Sequence, residues 1–163
     1  MATSTKTNVN RAGKQRHVRQ LRQWLAEHLR SRFPKAEVTC LEEGRNSMLR
    51  DLVARHGLET NWPESSTWSV TMDAVVLIRC ASSVTLALAK LKSDRIRISH
   101  VGEMVASCEV IRPTFAFLLA PDGLSASLVT LLRRFGRWDI LRYGEQYIRV
   151  GTWDSANAEP ILL

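Results

Sequence analysis

The sequence predicts an α/β domain with a mixed central sheet of about five strands flanked by helices on both faces. Three observations carry this. Two β-branched and aliphatic runs, Trp68–Ile78 and Val84–Lys92, are separated only by the small polar stretch Cys80–Ser83, as in a hairpin. A helix-period segment precedes them. Helical and strand patterns then alternate as far as Trp153, and strands joined through helices pair in parallel.

In chain order, the first residues are small and polar, so residues 1–14 are expected to form a basic flexible arm. A helix begins near Gln15, because Val18, Leu21, Leu25, Leu29 and Phe33 recur at steps of three and four, and Pro34 ends it. Lys35–Leu41 alternates as a short strand, and Glu42, Glu43 and Gly44 turn the chain. Asn46 can cap a second helix through Met48, Leu49, Leu52 and Val53, with Gly57 as its stop. Leu58–Thr67 has turn chemistry and no period, so it is expected to be a loop, with Trp62 and Trp68 packing as core or, alternatively, covering a groove. After the central pair, His100–Glu109 reads as a helix closed by Ile111-Arg112-Pro113, and Thr114–Leu119 as a strand covered on both faces. Ser125 caps a helix through Leu128, Leu131, Leu132 and Phe135 that Gly136 ends. Gln146–Trp153 alternates as a last, edge strand, and residues 154–163 read as a loosely attached tail.

The chain of 163 residues, 45% hydrophobic, is long enough for one domain with a substantial core, here residues 15–153. No apolar run approaches the roughly 20 residues that span a bilayer, and Met1–Asn10 lacks the apolar centre of a secretory signal. The expectation is an intracellular, cytoplasmic protein with no membrane partner. Cys40, Cys80 and Cys108 are scattered without a C-x-x-C pair, which argues for buried reduced thiols. His17, His28, His56 and His100 lack zinc-hydrolase spacing, and no G-x-S-x-G, Walker or G-x-G-x-x-G motif occurs.

Net charge is +7, yet residues 1–35 alone hold nine Lys or Arg against Glu27, or +8, leaving the remainder at −1. A basic arm running into a basic helix suits a polyanion such as nucleic acid, because phosphate contacts release counterions. Lys14, Arg16, Arg19 and Arg22 are the candidate backbone contacts.

Two features of the central strands point to chemistry. Asp73 is a lone acid in an apolar run, where it must be hydrogen-bonded, ion-paired or metal-bound. On the next strand, Val84, Leu86, Leu88, Lys90 and Lys92 share one face, so the two lysines project together at its end. An Asp on one central strand and x-L-K at the end of the next, with Arg112-Pro113 leading into an apolar strand and then a helix, resembles the restriction-endonuclease-like fold of the PD-(D/E)XK nuclease superfamily. The similarity covers residues 15–153.

The resemblance implies metal-dependent hydrolysis of a DNA phosphodiester. One or two Mg²⁺ or Mn²⁺ ions polarise the phosphate and acidify bound water, and a lysine orients the nucleophile or offsets developing charge. Asp73 matches the first metal-binding acid and Lys92 the motif lysine. Lys90 departs from the pattern, because it occupies the position that Glu or Asp usually fills. An acid supplied from the following helix, Glu103 ahead of Glu109, restores the ligand set, and Glu27, Glu42 or Glu43 offers a further ligand. Alternatively, the fold has lost its metal and binds nucleic acid or scaffolds a nucleoprotein complex. The resemblance also implies a homodimer, since cutting two strands takes two sites. Plainer readings stand beside these: Asp73 as a structural partner of Lys90 or Lys92, the lysines as a solvated strand end, and Glu103 as a surface carboxylate.

Overall fold

The computed structural model describes residues 4–41 and 47–163, with side chains from Gly13 onward. Glu42, Glu43 and the cap expected at Asn46 lie outside the described residues. The architecture is α/β, with a mixed seven-stranded sheet rather than five strands. Strands β1 (Glu37–Cys40), β2 (Ala74–Arg79) and β3 (Val84–Leu91) form an antiparallel meander. Strand β4 (Phe115–Ala120) lies parallel to β3, and β6 (Gln146–Asp154) parallel to β4. Short β5 (Arg142–Tyr143) and β7 (Glu159–Leu162) both pair antiparallel with β6. The last predicted strand is therefore interior, not an edge.

The alternation within β2 and β3 sorts side chains into two cores. Ala74, Val76, Ile78, Ala87, Ala89 and Leu91 face Leu21, Leu25 and Leu29 of helix α1 (Ser4–Arg32), together with Phe117, Leu119 and Trp153. Val75, Leu77, Leu86 and Leu88 face the opposite layer, built from α2 (Leu49–Arg55), α3 (Ile98–Ile111) and α4 (Ala126–Val129). Among the described residues no helix is long and apolar enough to cross a membrane.

Several boundaries differ from the expectation for physical reasons. Helix α1 starts at Ser4 rather than Gln15, so most of the stretch read as a flexible arm has helical backbone. Once nucleated, a helix gains a hydrogen bond per added residue, and polar Ser, Thr and Asn weaken that extension without stopping it. Strand β2 starts at Ala74 rather than Trp68, because the carbonyls of Trp68 and Val70 accept from the Arg50 and Leu49 amides at the start of α2. Helix N-termini leave amides without intrahelical partners, and here the extended segment supplies them. Within the predicted loop, Pro63–Thr67 winds into a 3₁₀ turn, and Trp68 is buried against Trp62.

Helix α4 follows its Ser125 cap, whose hydroxyl accepts from the Leu128 amide, and then widens into a π turn over Thr130–Arg134. The added residue per turn moves Phe135 off the stripe of Leu128 and Leu132, so Phe135, expected inside, is 64% exposed. Gly136 at φ +62° ends the segment as predicted. The tail is not loose: Asp154 accepts from the Ala156 and Asn157 amides, closing a turn that returns the chain as β7. Gly151 permits this pairing, because a Cβ there would collide with the Ile161 carbonyl. Of the three thiols only Cys108 is buried; Cys40 is half-buried and Cys80 exposed in the β2–β3 turn.

Candidate functional site

The end of β3 opens onto a cavity of about 320 Å³ on the α3 side of the sheet. Val70, Thr71 and Met72, leading into β2, form one wall, and Lys90 of β3 with Lys92 just beyond it another. His100, Glu103, Met104 and Ser107 close it from α3, their spacing placing them on one helix face.

Lys90 and Lys92 share this wall through strand parity, but their ammonium groups have different partners. Lys90 Nζ donates to the Thr71 carbonyl at 2.6 Å and to its hydroxyl at 3.0 Å. Lys92 Nζ lies 3.2 Å from Glu103 Oε2. The Lys92 side chain is only 20% exposed against 67% for Glu103, so the carboxylate reaches inward to a largely covered cation. Burial holds the Lys90 pKa below its ordinary value; Asp73 opposes this, Lys92 and Lys14 reinforce it, and Glu103 opposes it weakly.

Asp73 sits at the mouth of β2 rather than within an apolar run, half-buried and outside the cavity lining. Its Oδ2 accepts the Leu91 amide at 2.8 Å, and its own amide bonds the Ala89 carbonyl. A carboxylate thus supplies the last rung between β2 and β3. Arg22 Nε donates to the Asp73 carbonyl at 2.8 Å, tying α1 to the same point.

Asp73 just before β2, Lys90 near the end of β3, Lys92 just after it and Glu103 of α3 therefore come together at one end of the sheet. Lys14 lies near enough for its charge to act on Lys90, while Arg16 and Arg19 are exposed on α1. Glu27 hydrogen-bonds Gln23, and Glu109 holds the Gly144 amide, so neither joins this group. Thr71, His100 and Ser107 were not anticipated. His100 and Ser107 are separated from Glu103 by three and four residues, a helical signal available in the sequence. Thr71 contributes a backbone oxygen, for which side-chain pattern gives no sign.

Two carboxylates of the hard-oxygen type that Mg²⁺ prefers flank the lysines, and Mg²⁺ often binds through one or two carboxylates with water and substrate oxygens. The donor chemistry fits such an ion. Against it, one oxygen of each acid already meets a protein donor. Among the described residues, no three His, Cys, Asp or Glu side chains group to hold a metal. The chain matches no protein-family model, and no curated protein or solved structure matches it.

Proposed function

We propose that this protein is a restriction-endonuclease-like phosphodiesterase acting on DNA, with the β3-end cavity as its site. One observation carries the reading: Asp73, Lys90, Lys92 and Glu103 converge beside a single cavity. The helix, antiparallel meander, crossover helix and parallel strand in succession support the same fold family.

Asp73 and Glu103 would hold Mg²⁺ or Mn²⁺, which supplies Lewis acidity toward a phosphate oxygen and a more acidic bound water. Lys92 lies against Glu103, where its ammonium stabilises charge developing on the phosphate. Thr71 fixes Lys90, presenting a second cation to the same anion. Lys14, Arg16, Arg19 and Arg22 lie on α1, and Lys14 and Arg22 approach the cavity end, where they would grip the backbone. Two copies would be needed to cut both strands.

Incubation of supercoiled DNA with Mg²⁺ or Mn²⁺ tests this. Nicking by the wild type, abolished in Asp73→Asn with DNA binding retained, is the expected result. Absence of nicking with either ion, or an unimpaired Asp73→Asn variant, overturns the hydrolase reading.

A second reading is favoured by Lys90 at the usual acid position and by the protein donors already on both acids. In it the lysines take a DNA phosphate directly, and the domain binds or scaffolds without cutting. DNA affinity unchanged by chelator, with no nicking, distinguishes it.

A further inference from the structure

At the opposite end of the sheet, Arg133–Tyr147 presents large aromatic rings to solvent. Phe135 is 64%, Trp138 41% and Tyr147 52% exposed. Leu132 and Leu141, which bracket Phe135 and Trp138 in sequence, are buried in the α3-side core, whereas strand parity places Tyr147 with Arg149 and Trp153 on the α1 face of β6. Phe135 and Trp138, three residues apart and left in water, therefore mark the interaction surface. The stretch is firmly anchored. Leu132, Leu141 and Tyr143 are buried beneath it, the Tyr143 hydroxyl donates to the Pro113 carbonyl at 3.1 Å, and Glu109 accepts the Gly144 amide. The rings are consequently held outward on a fixed base.

Charge supplies a second, independent observation. Four arginines, Arg133, Arg134, Arg137 and Arg142, accompany the rings against only Asp139 and Glu145. Arg137 is committed to Asp139 through paired bonds of 2.8 and 2.9 Å, and Arg142 lies 3.9 Å from Glu145. No carboxylate among the described residues pairs with Arg133 or Arg134, and the Arg134 guanidinium lies 5.8 Å over the Phe135 ring. The π turn at Thr130–Arg134 delivers these arginines and Phe135 to the surface, and such turns are frequent at functional sites. β-sheet register separates this region from the cavity: Tyr147 precedes the residue opposite Ala116, whereas Lys90 lies opposite Leu118 and Lys92 beyond it.

We infer that Arg133–Trp138 is a single-stranded nucleic-acid surface on which unpaired bases stack against Phe135 and Trp138 while Arg133 and Arg134 contact the adjoining phosphates. Exposed rings beside unpaired guanidiniums match a strand whose bases offer flat apolar faces and whose linkages are anionic. A paired duplex hides those faces. A partner protein would gain from the rings but needs acidic groups for the arginines, and a second copy brings more arginine to an already basic surface.

Binding of a labelled oligothymidylate and of a duplex of equal length, measured by fluorescence anisotropy without metal, tests this independently of any cleavage. The wild type should prefer the single strand. The double variant Phe135→Ala/Trp138→Ala should lose about tenfold or more of single-strand affinity while holding duplex affinity within about twofold. Phe135→Leu/Trp138→Leu keeps apolar bulk without the flat π face and should lose similarly, which separates stacking from any folding defect. Arg133→Gln/Arg134→Gln should flatten the slope of log affinity against log salt by about 1.4. Unchanged single-strand affinity in either ring variant overturns the inference, as does equal loss on both DNA forms. So does loss of self-association, seen by sedimentation, with oligothymidylate binding intact.

Discussion

At the β3 end, the charged groups meet protein partners: Lys90 meets Thr71, Lys92 meets Glu103, and Asp73 meets the Leu91 amide. On the π turn at the opposite end of the sheet, by contrast, Arg133 and Arg134 project beside the exposed Phe135 and Trp138, with no acidic partner among the described residues. The first region contributes to folding through its polar bonds, so substitutions there disturb stability and function together. The second keeps its inward residues for the fold and its outward residues for other molecules, so the two effects should separate.

Asp73→Ala is expected to break the comparison most severely. It strips the Leu91 amide of its acceptor in a half-buried setting and removes the nearby anion from Lys90, costing about 1–3 kcal/mol by urea denaturation. Asp73→Asn, which keeps an acceptor oxygen, should cost less. Glu103→Gln comes next, at up to about 1 kcal/mol, since its carboxylate is solvent-screened. This variant also sharpens the functional choice. Metal-dependent nicking should disappear under the hydrolase reading, whereas DNA binding in chelator should tighten if the lysines hold the phosphate themselves.

The pH response of Lys90 is expected to be smaller still. Its folded pKa is depressed mainly by burial, whereas the unfolded chain keeps the proton up to about 10.5. Between those values the unfolded state binds more protons, so stability rises with pH and falls again as pH drops through the folded value. Lys90→Met should flatten this increment in denaturation midpoints measured from neutral pH to pH 10.5. At the other end, Arg133→Ala and Arg134→Ala should leave stability within about 0.5 kcal/mol of wild type, because both side chains are exposed.

Much of the scaffold is legible in local pattern. The period of two in β2 and β3 separates the α1-facing and α3-facing cores, and Pro34, Gly57 and Gly136 mark helix exits. Equal parity of Lys90 and Lys92, followed by a crossover helix carrying Glu103, also makes the cavity grouping readable. What escapes notice depends on backbone groups or long-range pairing. Neither the Thr71 carbonyl nor the Trp68 and Val70 carbonyls occupied by α2 leave a residue signature. The π turn defeats a simple helical period at Phe135, and the Asp154 turn creates a strand from a segment with weak alternation. Charge averaging conceals the remaining region: a net −1 over residues 36–163 contains the cluster of arginines near Phe135 and Trp138.

The Asp73 carboxylate bound to Leu91 has one more use. Hydrogen exchange at that single amide, followed by NMR, reports whether the acid still occupies the strand end. Divalent-ion titration that draws the oxygen away should accelerate exchange at Leu91, giving a direct readout of site engagement even in a protein that cuts nothing.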